Sequence, residues 1–341
     1  MSKKGFLHDL VEKDDPFTRF GDHPDFDNSN LGFIDTGSYA LNGAISGSIY
    51  GGISDSSITI LAGEESVGKT YFGVGILKSF LSRDEGAGAV YYETEGAPIQ
   101  AIKSRGIDAG RVAISQPDTV QKFREKALNV LTKYEKIEKE ERPPLMLILD
   151  SLGQLSTSKE FEDSLSGSET ADMTRSRLIK SAFRTITLML NRLHVPMIAT
   201  NHVYVNMNAY GNPKVQSGGS GPKYSASTTI QLSKSKDRDE KTKEVLGNIV
   251  TCKMIKNRWA KENAEVDVRL SYTKGLDRYF GLTDLAVKHG IFTKSTKGIT
   301  LPDGTTTATK NVDNDPEKFY TKDVLDRLDA AAKKEYSYGE L

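Results

Sequence analysis

A single cysteine, Cys252, stands in a chain of 341 residues. That scarcity excludes an internal disulfide framework and every zinc pattern built on several thiolates, and it fits a reducing cytoplasm. Long apolar runs are missing as well: nowhere do about 18 apolar residues follow one another, and the opening MSKKGFLHDLVEKDD has no apolar segment of signal-peptide length. A soluble protein that stays inside the cell, with no membrane partner, is the expectation. Net charge is also lacking, because 46 Lys and Arg balance 46 Asp and Glu. A uniformly basic surface is thereby excluded, and any site for a polyanion has to be a local concentration of Lys and Arg. The length suits about two domains at roughly 150 residues each, enough to bury a full core without staples.

From Ser57 onward, short β-branched runs bounded by loops alternate with longer segments of helical apolar spacing. The runs cover 57–62, 89–93, 112–115, 145–150 and 196–201, then 228–232, 249–256 and 266–271. Helical spacing covers 69–82, 120–136 and about 170–193. The alternation predicts an α/β fold, a mostly parallel twisted sheet with helices on both faces. Residues 1–35 are polar apart from Phe6, Leu7, Leu10 and Val11, and read as an arm outside the core. Beyond Lys274 the composition shifts, and a hairpin signal at Pro302-Asp303-Gly304 precedes a charged amphipathic helix over 322–334. The expected organisation is thus an N-terminal arm (1–35), a core (36–275) and a small α+β C-terminal domain (276–341). The charged run 133–144 reads as a solvated helix end and loop.

The first core strand runs straight into Gly63-Glu64-Glu65-Ser66-Val67-Gly68-Lys69-Thr70, which opens a helix. Glycines in such a loop let backbone N–H groups turn toward phosphates, and the helix N-terminus adds its dipole. Lys69 then reaches the β- and γ-phosphates and Thr70 holds Mg²⁺. The apolar strand 145–150 ends in Asp150, where a carboxylate can hold a Mg²⁺-bound water beside Thr70. Phosphoryl transfer to water needs one more acid to orient the nucleophile. Glu95, just past the strand 89–93, is the first choice, with Glu93 as its competitor.

Other strings join these: FIDTGSYALNGAISG before the first core strand, YYETEGA, SQPDT at 115–119, LILDSLGQL, DMTRSRLIKSAFR at 172–184, TNH at 200–202, YGNP at 210–213, GGSGPKYSA at 218–226 and KNR at 256–258. In this order and spacing they resemble RecA-family recombinases over residues 32–292, most closely the UvsX recombinases of T-even-type bacteriophages. The resemblance implies a RecA-like ATPase core that binds ATP with Mg²⁺. It implies a helical homo-oligomeric filament on single-stranded DNA that pairs with homologous duplex DNA, helped by a single-strand-binding protein and a mediator. It makes Glu95 the catalytic glutamate and His202 the group that senses the γ-phosphate, since an imidazole can bond a phosphate oxygen and shift when that oxygen leaves. It assigns Lys256 and Arg258 to the neighbouring subunit's ATP, in the manner of an arginine finger. Lys223 and Tyr224 correspond to interface residues that report the nucleotide state between subunits.

For DNA, the segment after His202 carries Tyr204, Met207, Tyr210 and Lys214 without a clear period, ahead of Gly218 and Gly219. Aromatic and apolar groups among amides and a lysine suit a segment that orders on single-stranded DNA by stacking, and it resembles the family's second DNA loop. Either Met207 or its neighbour would wedge between bases. The first DNA loop would be 156–172, and on the helix after it Arg177 and Arg184 are seven apart, on one face, placed to grip consecutive phosphates. Where the family has an adenine-stacking tyrosine, PIQAIKSRG offers Ala101 or Ile102. The long acidic tail of some relatives is not seen in AAKKEYSYGEL, so self-inhibition by a tail is not expected. The arm, through Phe6–Val11 or Pro24–Phe26, is expected to dock on the next subunit. Two rival readings share the core: a ring-shaped hexameric helicase, disfavoured by GGSGPKYSA, and a nucleotide-gated accessory protein with little turnover, disfavoured by Glu95, Asp150 and Lys256.

Overall fold

The computed structural model describes residues 32–339 apart from 97, 167–173, 206–213, 217–220 and 240. The chain divides near residue 32, and the unit described is the second, Phe33–Leu341. The arm, with Phe6–Val11 and Pro24–Phe26, lies outside the described residues. Along the chain run β1 (Phe33–Ile34), α1 (Tyr39–Ser46), β2 (Ile53–Ser54), β3 (Ile58–Gly63), α2 (Lys69–Leu81), β4 (Gly88–Glu93), α3 (Pro98–Ser104), β5 (Val112–Ser115), α4 (Val120–Glu135) and β6 (Leu145–Asp150). There follow α5 (Ser158–Ser166), α6 (Arg175–Leu193), β7 (Met197–Val205), β8 (Lys214–Gln216), α7 (Gly221–Ser225), β9 (Thr228–Arg238), β10 (Val245–Asn257), β11 (Glu265–Ser271) and β12 (Gly275–Leu276). The main sheet has the order β12-β11-β10-β9-β3-β7-β6-β4-β5. From β9 to β5 neighbouring strands are parallel, whereas β9 to β12 form an antiparallel meander.

Residue alternation decides how the sheet is covered. In β3, Ile58, Ile60 and Ala62 join one core while Leu61 joins the other; in β6, Leu147 and Leu149 face the first and Met146 and Ile148 the second. Strands buried on both faces need apolar residues at successive positions, which is why these runs lack a polar side. The first core is closed by α4 through Val120, Phe123, Ala127 and Leu131 and by α6 through Ile179, Phe183, Ile186 and Leu190, each series at three- or four-residue spacing. Thr119 caps α4 by accepting from the Lys122 N–H at 3.3 Å. Helix α6 ends where His194 takes a left-handed φ of 52°, just before Pro196. The second core lies under α2 through Phe72, Val74, Ile76, Leu77 and Phe80.

Several strand boundaries depart from the sequence expectation: β9, expected over 228–232, runs on to Arg238, and β10, expected over 249–256, begins at Val245. The strand expected over 196–201 continues to Val205, and Val203–Val205 pair antiparallel with Lys214–Gln216. The backbone ladder extends there despite the mixed side-chain pattern, because pairing to β8 satisfies its N–H and C=O groups. Among the described residues no helix is long and apolar enough to cross a membrane.

A third cluster gathers Leu282 and Leu285 of α8 (Leu282–Lys288) and Ile299 of the three-stranded β13 (Thr293–Ser295), β14 (Gly298–Thr300) and β15 (Thr306–Thr307). After α9 (Thr309–Asn314) and α10 (Pro316–Phe319), α11 (Lys322–Tyr336) adds Val324, Leu328 and Ala332, and Tyr39 and Ile49 join from the other end of the chain. Polar groups pin this union. Asp329 accepts from the Ser48 hydroxyl at 2.5 Å and the Ile49 N–H at 3.0 Å. Asp35 accepts from Asn42 at 2.7 Å, Arg278 at 2.7 Å and the Gly37 N–H at 2.9 Å.

Burial pushes the Asp35 carboxyl up, but the hydrogen bonds from Asn42, Arg278 and Gly37 and the Arg278 charge outweigh it, so the net shift is below the ordinary 3.8. A depressed folded pKa stabilises fully above the unfolded value, and that contribution is lost as pH falls through the folded one. The Asp35→Asn variant is therefore expected to lose less of its stability than the wild type on acidification below about pH 4, as read by denaturant melts across pH. Asp329→Ala, which strands the Ser48 hydroxyl and the buried Ile49 N–H, should cost about 2–4 kcal/mol in the same assay at neutral pH.

Candidate active site

Parallel pairing brings distant residues to one edge of the sheet. Gly63 at the end of β3 lies opposite His202 on β7, and Glu93 at the end of β4 lies opposite Asp150 at the end of β6. Open α/β sheets bind ligands at this carboxyl edge. The loop 63–70 leaves from its middle. A Cβ on Gly63 would come within 2.7 Å of Val67 Cγ1 and 2.9 Å of the Leu232 carbonyl oxygen, so the loop closes this tightly only with glycine. Gly68 has a φ of 104°, and α2 opens there without a side-chain cap. Its first N–H groups thus remain available to an anion.

Lys69 is 6% exposed, with Nζ donating to the carbonyls of Gly63 at 3.1 Å and Glu64 at 2.8 Å. Burial lowers its pKa, against the opposing pull of Glu95, Asp150 and Glu65. Asp150 gathers hydroxyls: Oδ2 accepts from Thr70 at 2.7 Å and Tyr91 at 2.6 Å, and Oδ1 accepts from Thr200. Burial and then the Asp150 charge push the Tyr91 phenol well above its ordinary range, so it stays a donor. A carboxylate joined to the hydroxyl that follows the loop lysine offers oxygen ligands of the kind a small hard cation takes.

Glu95 Oε1 lies 2.7 Å from His202 Nε2, joining the tips of β4 and β7. Burial pushes the Glu95 carboxyl up, but hydrogen bonds from Ser151 and His202 and the charges of His202 and Lys69 bring it below its ordinary value. Glu93, the competing acid, has another occupation. It is 4% exposed and accepts from the N–H groups of Glu95 and Gly96, while Gln116 Nε2 donates to its other oxygen at 3.0 Å. Glu93 therefore shapes the loop that carries the more exposed Glu95. Thr94 ties that loop to β6, donating to the Ser151 carbonyl at 2.9 Å and accepting its N–H at 2.7 Å.

Other expected residues lie away from this cluster. Lys256 Nζ donates to the carbonyls of Lys223 and Tyr224, each at 2.9 Å, closing the end of α7, where the Tyr224 side chain is 68% exposed. Because β10 runs antiparallel to β9, Lys256 and Asn257 pair with Thr229 and Thr228, and Thr228 pairs with Thr59 near the start of β3. Lys256, the exposed Arg258, Lys223 and Tyr224 thus stand at the sheet edge opposite the loop, where the strand register sets Lys256 and Asn257 roughly 10–13 Å along the strands from the level of Gly63 at about 3.3 Å per residue. Arg177 and Arg184 are exposed on α6 with Lys180 between them. Tyr204 and Lys214 belong to the paired strands β7 and β8, and Met207, Tyr210, Gly218 and Gly219 lie outside the described residues.

Sequence reading passed over Tyr91, Thr200 and Gln116, and also Arg175, which donates to the carbonyls of Leu155 at 3.0 Å and Gly153 at 2.9 Å. Tyr91, Gln116, Thr200 and Arg175 sit inside the strings YYETEGA, SQPDT, TNH and DMTRSRLIKSAFR, and that placement was the available signal. Gly153 is fixed by packing, since a Cβ there would lie 2.9 Å from His202 Cδ2.

A sequence model of the RecA N-terminal domain matches residues 15–277. The chain belongs to the RecA family. Its relatives include the "Recombination and repair protein" of Enterobacteria phage T4, 32% identical over 259 residues that cover 76% of this chain and 64% of that protein. Protein RecA of Zymomonas mobilis is 30% identical over 268 residues, covering 77% and 70%, and Protein RecA of Nautilia profundicola is 27% identical over 274 residues, covering 80% and 74%. The match thus spans just under two thirds of the phage relative's length. Both the family inferred from the sequence strings and its mostly parallel α/β core are borne out.

In the His202→Ala variant the Glu95 carboxyl should titrate closer to its ordinary value of 4.5, because a hydrogen bond and a cationic neighbour are gone. Carbon NMR of the carboxyl across pH reads this directly. An unchanged titration would assign the depression to Ser151 and Lys69.

Proposed function

We propose that this RecA-family chain is an ATP-dependent DNA recombinase that polymerises on single-stranded DNA, pairs it with a homologous duplex and releases it on hydrolysis. The observation that carries the reading is the separation of two functional edges in one chain. The loop, Asp150 and Glu95 gather at one edge of the sheet, while Lys256 and Arg258 stand at the other. Cations so placed serve a nucleotide only when a second copy stacks head to tail, and a repeated heterologous contact of that kind builds a helix where its rotation does not close into a ring.

Within the site, the loop N–H groups and Lys69 bind the phosphates, and Thr70 and Asp150 hold Mg²⁺, which supplies charge neutralisation on the phosphates. Glu95, hydrogen-bonded to His202, orients the attacking water and takes its proton. His202 lies on the strand that leads to the second DNA loop, so the Glu95–His202 contact gives a route by which loss of the γ-phosphate alters DNA binding. Tyr204, Met207, Tyr210 and Lys214 would meet bases, Gly218 and Gly219 the backbone, and Arg177 and Arg184 the phosphates. Lys223 and Tyr224, held by Lys256, would report the nucleotide state across the interface. A single-strand-binding protein and a mediator suit such a filament, as does the host cytoplasm. The segments 1–35 and 276–341 would serve as docking arm and accessory domain.

The test is complementation. Lys69→Ala and Lys256→Ala should each abolish DNA-stimulated ATP turnover, yet an equimolar mixture should regain it at roughly a quarter of the interfaces, those pairing an intact loop with an intact Lys256. A mixture as inactive as its parts would overturn the assignment of Lys256 to a neighbour's ATP. Turnover indifferent to single-stranded DNA would overturn the recombinase reading.

A further inference from the structure

The crest of the candidate phosphate loop needs a fastening that the loop itself does not supply. Ser66 takes a φ of 56° there, a left-handed conformation that residues with a side chain rarely adopt. Such a bend persists where neighbouring structure holds it. Lys234 provides the hold, its Nζ donating to the Ser66 carbonyl at 2.6 Å. The two residues are 168 positions apart and meet because β9 runs beside β3.

Register explains how the lysine arrives. Gly63 pairs with Leu232, and Ile230 and Leu232 belong to the core under α2. Lys234, two residues further along β9, has the same facing, so it flanks the loop just past the end of β3. The rest of the antiparallel meander backs the loop as well. A Cβ on Gly68 would lie 3.5 Å from Leu270 Cδ2 of β11, and the Tyr71 hydroxyl accepts the Leu276 N–H at 3.0 Å. The peptide unit between Ser66 and Val67 is trans, so its C=O and N–H point in opposite directions. With the Ser66 carbonyl drawn to β9, the Val67 N–H is turned away from it. The Val67 side chain, 2% exposed, is anchored in the core.

We propose that Lys234 is a positioning residue for the phosphates of ATP, acting through Ser66 to keep the Val67 N–H turned toward the anion; the proposal rests on the nucleotide reading above. Without the lysine, Ser66 can relax to a negative φ, which reorients the peptide units on both sides and takes an N–H dipole from the phosphates. Lys236 supplies the control. It is exposed two residues beyond on the same face of β9, so its loss removes a like charge without removing the bond to Ser66. Calorimetric titration of the full chain with Mg²⁺ and either ATP or inorganic tripolyphosphate reads the effect, because both ligands present phosphates to the loop. Lys234→Met should weaken both about tenfold while melting at the wild-type temperature. Lys234→Arg, which keeps a charged donor, should retain most of the affinity, and Lys236→Met should bind like the wild type.

Undiminished tripolyphosphate binding by Lys234→Met would overturn the proposal while sparing the phosphate loop. An equal loss in Lys236→Met would overturn it too, by assigning the effect to charge alone, and so would an equal loss in Lys234→Arg. A lowered melting temperature in Lys234→Met would assign the loss to the fold and have the same consequence. Binding of neither ligand by the wild type would remove the nucleotide reading and the proposal together.

Discussion

The register of the parallel ladder is the constraint on which the site depends. β3, β7, β6 and β4 lie side by side, and pairing fixes Gly63 beside His202 and Glu93 beside Asp150. A slip of one residue in any pair would turn a tip residue to the opposite face of the sheet. The buried alternation of β3 and β6 between two cores prevents such a slip, since it would exchange every side chain between them. The chemistry at the edge thus inherits its precision from apolar packing well below it. Asp150 adds a second fastening, drawing hydroxyls from α2, β4 and β7 onto one carboxylate.

The same topology would leave the proposed site to be completed by a second copy of the chain. Beyond β9 the sheet turns antiparallel, and Lys256 is carried to the far edge, where it holds the end of α7. There burial, then Arg258 and Lys223, lower its pKa, opposed by Glu262. A cation held among its own kind gains by meeting a polyphosphate. Assembly would supply that partner, linking nucleotide binding to polymer growth by mass action.

What could be seen in the sequence was local. The candidate phosphate loop and Asp150 are legible because the glycine spacing and a strand ending in a carboxylate, common by itself, occur together in an α/β pattern, and helices α4 and α6 because their apolar spacing faces a single core. Choosing between Glu93 and Glu95 needed the backbone: the two are alike in sequence, and only the turn shows Glu93 accepting the N–H groups of Glu95 and Gly96. The extension of β7 through His202 to Val205 was hidden because its partner strand, Lys214–Gln216, is short and mixed in character. Contacts across great sequence distance, such as Asp329 with Ser48 or Arg278 with Asp35, left no trace in spacing or composition.

The central claim is that one nucleotide is shared by two copies of this chain along single-stranded DNA. It is tested most directly by electron cryomicroscopy of the protein with single-stranded DNA and a non-hydrolysable ATP analogue. The account predicts a helical polymer in which each nucleotide lies between the loop 63–70 of one subunit and Lys256 and Arg258 of the next. A closed ring, or a nucleotide enclosed by a single subunit with Lys256 and Arg258 remote from any phosphate, would contradict it.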